Sequence, residues 1–193
     1  MSPRFREALT YAAELHAKQF RKASNVPYVA HLLGVTAIAL EHGADDDEAI
    51  AALLHDAVED QGGQTTAAEI RRRFGDRVIE IVLGCSDADT IPKPPWRERK
   101  ESYIAHLDNA SASVLLVSAA DKLHNAASIV ADYRRFGEKV WDRFNGGRDG
   151  TLWYYRTLAD KFNQFANEQR VSKDLALMLE RAVRELETLA ESH

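Results

Sequence analysis

The octapeptide Leu53-Leu54-His55-Asp56-Ala57-Val58-Glu59-Asp60 sets an imidazole and three carboxylates within six positions of one predicted helix. Carboxylates at i, i+3 and i+4 of a helix repel one another, and no lysine or arginine occurs between Ala44 and Gly63 to relieve them. A divalent cation would. His31, inside the apolar run Tyr28 to Leu33, and Asp121, after the apolar run Val114 to Ala120, are the distant ligands that would complete its site. The set His31, His55, Asp56 and Asp121 mixes nitrogen and oxygen donors, which suits Mn, Fe, Ni or Zn. Glu59 and Asp60, one helical turn on, would then stand over the ion's water.

Each residue also has a plainer reading. On a helical wheel Ile50, Leu53, Leu54, Ala57 and Val58 form the buried stripe, and His55, Asp56, Glu59 and Asp60 fill the opposite sector, as in any solvated amphipathic face. A buried Asp121 must be paired or neutralised. Lys122 is set aside because side chains one apart in a helix diverge, leaving a metal, a backbone amide, Arg134 or Arg135. A single histidine such as His31 in an apolar helix is as readily a hydrogen-bonded core residue, so the ligands argue as a set. His16, His42, His106 and His124 lack comparable carboxylates and read as surface or packing residues.

The elements that must hold these groups are helical, because apolar spacing near 3.6 residues recurs and no stretch alternates at a period of two. The spacing predicts an all-α bundle of about ten helices. Helices are expected from Arg4 to Lys18, from after Pro27 to before Gly43, and from Asp46 to Asp60 unbroken. Thr66-Ala67-Ala68-Glu69 reads as a capping box opening a helix that closes at Gly75, followed by one from Asp76 to Ser86. Three prolines make Asp87 to Pro95 a loop. Further helices are predicted over Trp96 to Asp108, Ser111 to Tyr133, Glu138 to Phe144, Thr151 to Glu168 and Ser172 to Glu191, with a flexible loop from Asn145 to Gly150. The last helix carries an apolar stripe from Leu175 to Ala190 that suits either the core or a dimer seam of a homo-oligomer.

At 193 residues, 45% of them apolar, the chain suits a single domain with a sizeable core. A net charge of −5 argues against general nucleic-acid binding and against an anionic membrane surface, so the expected partner is a small molecule. Cys85 is the lone cysteine, which excludes a disulfide framework and a thiolate-rich metal site. The amino terminus lacks an apolar signal region, and the apolar runs look too short to span a bilayer. A cytoplasmic location is the expectation.

The order His31, His55-Asp56, Asp121 resembles the HD-domain metal-dependent phosphohydrolases. Arg21-Lys22 with Pro27-Tyr28-Val29-Ala30-His31, Ala52 to Asp60, and Ala120-Asp121-Lys122-Leu123-His124-Asn125 are similar to the hydrolase domain of RelA/SpoT-type alarmone enzymes, over roughly Phe5 to Phe162. The resemblance implies an all-helical HD domain, Mn²⁺ held by His31, His55, Asp56 and Asp121, and Glu59 and Asp60 activating or orienting the attacking water. It also implies nucleotide contacts from Arg21, Lys22, Lys93, Asn125 and Tyr154, and removal of pyrophosphate from the 3′ position of ppGpp or pppGpp. One departure stands out: many relatives have an arginine two residues after Asn125, where this chain has Ala127. Arg148, between glycines, is the candidate replacement charge. Two other readings stay open, namely an HD-type hydrolase acting on a deoxynucleotide, a cyclic nucleotide or NADPH, and a non-catalytic helical binding protein with a solvated acidic face.

Overall fold

The computed structural model describes residues 1–22, 24–86 and 94–191. Within them lie ten α-helices: α1 (Pro3–Leu15), α2 (Val29–Glu41), α3 (Asp46–Leu54), α4 (Ala57–Asp60), α5 (Gly63–Phe74), α6 (Asp76–Cys85), α7 (Trp96–Leu107), α8 (Ala112–Phe136), α9 (Gly147–Asn167) and α10 (Lys173–Glu191). A 3-10 helix, Gly137–Arg143, joins α8 to the α9 region. The one extended pairing among the described residues is an isolated antiparallel bridge between Phe20 and Pro27. The all-α expectation holds.

The bundle has two apolar cores that share α8 as a wall. Val114, Val117 and Ala120 face the core built from α1 to α6, whereas Leu115, Ala119, Leu123, Ala126, Ile129, Val130 and Tyr133 face the core with α7, α9 and α10. By length and composition the continuous stretch Ala112–Arg143 is apolar enough to cross a membrane, contrary to the sequence expectation. Burial on both sides explains that composition, because a helix walled in by two cores has little face left for polar residues. On α10 the stripe Leu175, Leu179, Val183, Leu186 and Ala190 is buried against this second core, while Leu177 and Met178 are exposed.

Local chemistry fixes several boundaries differently from expectation. The predicted helix Asp46 to Asp60 is two helices, interrupted at His55 and Asp56. The capping box lies at Asp45 and Glu48, each side chain binding the other's backbone amide, and three acids in the first turn of α3 favour its positive end. Thr66 does not cap α5. Gly62, at φ +115°, makes the turn that lets α5 begin at Gly63, and Thr66 sits buried inside it with its hydroxyl donating to the Gln61 carbonyl. The flexible loop expected over Asn145 to Gly150 is also corrected, because α9 starts at Gly147. Gly146 lies there for close packing, since a Cβ would come within 2.6 Å of the Trp96 indole. The expected loop from Asp87 lies outside the described residues as far as position 93.

The Asp45 cap aligns the helix that delivers His55, so its loss should be felt globally. Asp45→Ala is expected to lower unfolding free energy by about 1 kcal/mol, read as a lower urea midpoint with unchanged slope.

Candidate metal centre

Three helices and one helix break bring the predicted ligands together. His31 lies in the first turn of α2 with its ring buried, and Asp121 is a buried residue of α8. His55 and Asp56 occupy the junction between α3 and α4, where the backbone stays in the right-handed helical region although the helix is interrupted, and Tyr28, just before α2, donates to Asp56 Oδ2 at 2.6 Å. His31 Nε2 is 3.5 Å from Asp56 Oδ2 and 3.2 Å from Asp121 Oδ1. His55 Nε2 is 3.0 Å and 3.6 Å from the same two oxygens. Ligand atoms bound at about 2.0–2.2 Å to one ion stand roughly 3 Å apart; His31, His55 and Asp56 fall within such reach of one another, and Asp121 joins them through its contacts with the two histidines.

Electrostatics describe the same convergence. Burial alone would lower the His55 pKa, but Asp56 and Asp121 outweigh it and hold the imidazole well above its usual value. Burial would raise both carboxyls, yet His55 and His31 hold Asp56 well below the carboxylate range, and Lys122 with the two histidines does so for Asp121. The buried Asp121 and the half-buried Asp56 thus persist as anions, and positive charge must face them. His55 Nδ1 donates to the Ala52 carbonyl at 2.9 Å, which keeps a proton there and turns Nε2 toward Asp56 and Asp121. That buried Nε2 has no hydrogen bond in good geometry, and an imidazole nitrogen that faces two carboxylates and can give up its proton to a cation fits a divalent ion.

One sequence argument is overturned. Lys122 does reach Asp121, its Nζ donating to Oδ2 at 2.6 Å while lying 4.8 Å from the Tyr103 ring centre. The long lysine stem folds back along α8, so the rule for short neighbouring side chains fails here. Asp121 is therefore matched on one oxygen by Lys122 and presents the other, Oδ1, to the two histidines, where it also accepts from Asn125 Nδ2 at 2.5 Å.

The nucleotide-contact candidates divide. The pairing of residues 19–21 with 26–28, through Arg21 N to Val26 O and Tyr28 N to Gln19 O, turns the chain back and lays Arg21 against α8, where its Nη2 donates to Asn125 Oδ1 at 2.9 Å. Arg21, Asn125 and Asp121 thus form one chain of hydrogen bonds, with Lys22 exposed on the same turn. Of the acidic pair, Glu59 is half-buried and Asp60 exposed on α4, Asp60 accepting from Gln19 Nε2 at 2.7 Å. Tyr154 is buried among Trp96, Trp153 and Tyr155, with Lys100 4.9 Å from its ring centre. Arg148 is placed elsewhere, its guanidinium donating to the Ala190 carbonyl near the end of α10. Lys93 lies outside the described residues.

Three residues of the site were read as ordinary or passed over. Tyr28 donates to Asp56 Oδ2 at 2.6 Å, with burial pushing its hydroxyl far above the usual phenol range so that it stays a donor. His16 is buried and stacks on Tyr28 at 5.2 Å. His124, expected to be unremarkable, meets His31 with their Nδ1 atoms 3.0 Å apart, and burial beside His31 pushes its pKa down to about 4. A signal existed for His124, because Asp121, His124 and Asn125 fall at i, i+3 and i+4 on one helix face.

A model of the HD domain matches residues 8–152. The chain belongs to the HD-domain family. Among curated HD-domain relatives, the guanosine-3′,5′-bis(diphosphate) 3′-pyrophosphohydrolase MESH1 of Xenopus tropicalis is 41% identical over 138 residues, covering 70% of this chain and 72% of the relative. The guanosine-3′,5′-bis(diphosphate) 3′-pyrophosphohydrolase of Aquifex aeolicus is 36% identical over 125 residues, which cover 63% of this chain but 17% of that longer protein. A solved structure described as a metazoan ortholog of SpoT that hydrolyses ppGpp superposes with a TM-score of 0.77 at 26% identity, covering 96% of each chain. HD-domain membership implies use of a divalent metal, and the donors of His31, His55 and Asp56 lie within 4.8 Å of one another.

Replacing one anionic ligand tests the assembly. Asp121→Asn keeps the shape but removes the charge facing the histidines, and elemental analysis of the purified protein is expected to find transition-metal content well below wild type.

Proposed function

We propose that this HD-domain protein hydrolyses the 3′-pyrophosphate of ppGpp and pppGpp, giving pyrophosphate with GDP or GTP, and that Mn²⁺ is its metal. The observation that carries the proposal is the convergence of His31, His55, Asp56 and Asp121 on one point, in a chain whose relatives of similar length bear that activity in their names. A cytoplasmic setting, where such nucleotides are made and consumed, goes with it.

The four ligands would hold the ion, which when bound polarises a phosphate oxygen and lowers the pKa of a water molecule. Glu59 and Asp60 are the last two residues of the short helix α4 that follows Asp56, and in this reading one of these carboxylates takes the proton of the attacking water. In this scheme the water oxygen adds to phosphorus, the bond to the ribose 3′ oxygen breaks, and that oxygen leaves as a hydroxyl. Such displacement asks the protein chiefly for positioning and for charge facing the phosphates. Arg21 supplies that charge. Its hydrogen bond to Asn125, itself anchored on Asp121, ties the guanidinium to the metal ligand and so sets the distance between nucleotide and ion. Lys22 adds a second charge on the same turn, and Lys93 and Tyr154 keep their assignments from the resemblance. Arg148 is left out, because its guanidinium caps the carbonyl end of α10.

Product identity separates this proposal from the other HD-type readings. Incubated with Mn²⁺ and a panel of ppGpp, pppGpp, deoxynucleotides, cyclic nucleotides and NADPH, the protein is expected to release pyrophosphate and GDP from ppGpp; orthophosphate from NADPH or a deoxynucleotide instead would overturn it. Glu59→Gln should retain metal and lose about 10²–10⁴ in kcat, whereas full activity would remove Glu59 from the proton step. Arg21→Ala should lower kcat/KM for ppGpp by roughly 10–100-fold, the worth of a charged hydrogen bond, mostly through KM in steady-state assays.

A further inference from the structure

The two ligand histidines have different partners behind them. His55 Nδ1 faces the Ala52 carbonyl, which can only accept, so the proton of His55 is fixed on Nδ1 by the backbone alone. His31 Nδ1 faces another imidazole nitrogen, Nδ1 of His124, at 3.0 Å. Between two such atoms there is room for one proton, and either ring can carry it. His31 can offer a bare Nε2 to a cation only when its own proton is on Nδ1, which requires His124 Nδ1 to accept and the His124 proton to sit on Nε2.

A second observation indicates that the backbone of α2 is shaped around this partner. Gly34 lies in the middle of α2, one turn after His31, where a glycine costs roughly 1 kcal/mol relative to alanine. A Cβ at that position would come within 2.2 Å of His124 Nε2 and 2.3 Å of its Cδ2. The missing side chain is the seat of the His124 ring. His124 also stands at i+3 from Asp121 on α8, so one helix supplies both a ligand and the group that orients another ligand on α2.

We propose that His124 is a positioning residue of the metal centre, accepting the His31 Nδ1 proton so that His31 Nε2 stays bare and aimed at the ion, with Gly34 left without a side chain to seat the His124 ring. This rests on His31 being a ligand. Removing a hydrogen-bond partner behind a ligating histidine lowers metal affinity by about 10–100-fold, an effect on binding itself that needs no turnover to be seen.

The test is calorimetric titration of Mn²⁺ into the chelator-stripped full chain, with thermal melts of the metal-free proteins as the folding control. His124→Phe, which keeps an aromatic ring but no acceptor, is expected to weaken the Mn²⁺ Kd by about 10–100-fold. His124→Asn, whose side-chain oxygen can take the place of Nδ1, is expected to recover most of that loss. Gly34→Ala keeps every polar group and adds helix propensity, yet should also weaken Kd because its methyl displaces the ring. An unchanged Kd in His124→Phe and Gly34→Ala, or an equal loss in the Phe and Asn variants, overturns the role given to His124. No Mn²⁺ binding by the wild-type chain would instead remove His31 as a ligand, and this inference with it.

Discussion

Two carboxylates held as anions, Asp121 buried and Asp56 half-buried, are the constraint around which this molecule is organised. Asp56 and Asp121 face the imidazoles of His31 and His55 at 3.0–3.6 Å, and a buried charge without a partner is costly enough to unfold a marginal protein. Lys122 covers the Oδ2 of Asp121 and leaves Oδ1 to the histidines, whereas Tyr28 donates to the same Asp56 Oδ2 that the histidines face. In the absence of a cation His55 supplies positive charge, because the two carboxylates hold its pKa well above the ordinary value; a divalent ion would supply it otherwise and free the imidazole to act as a neutral ligand.

The scaffold meets that demand by bringing separate elements to one place. The junction between α3 and α4 carries His55 and Asp56, whose Nε2 and Oδ2 stand 3.0 Å apart. The short pairing around Phe20 and Pro27 does the same for Arg21, returning the chain to α8 before α2 begins. α8 carries Asp121, Lys122, His124 and Asn125 within one turn and is gripped on both sides by apolar cores. Rigid support of this kind fixes distances to the tolerance that positioning chemistry needs.

Charge is distributed to suit a small polyanion. The chain as a whole carries −5, so a phosphate-rich ligand meets attraction locally rather than from the overall field. Arg21 and Lys22 lie on the turn that leads into α2 and His31, one of the proposed ligands. That arrangement would let an acidic protein meet the phosphates of the alarmone proposed as its substrate.

The sequence by itself determined the helical class and the approximate number of helices, and it singled out the four side chains proposed as ligands, because periodicity and residue type survive without coordinates. His55-Asp56 was legible from the carboxylates crowded after it, and His31 and Asp121 from polar residues set in apolar runs. What the sequence could not carry was direction. Lys122 was dismissed by a rule for helix neighbours, yet its long stem turns back to Asp121. His124 looked ordinary although it stands behind His31, and Arg148 looked suited to phosphate although it caps α10. Glycines misled in the same way: Gly146 reads as flexibility and is a contact surface for Trp96, as Gly34 is for His124. Spacing along a helix tells which residues share a face, a local property fixed by 3.6 residues per turn. Which faces meet across 93 residues, as His31 and His124 do, follows from packing of the whole bundle, and only the tertiary structure decides it.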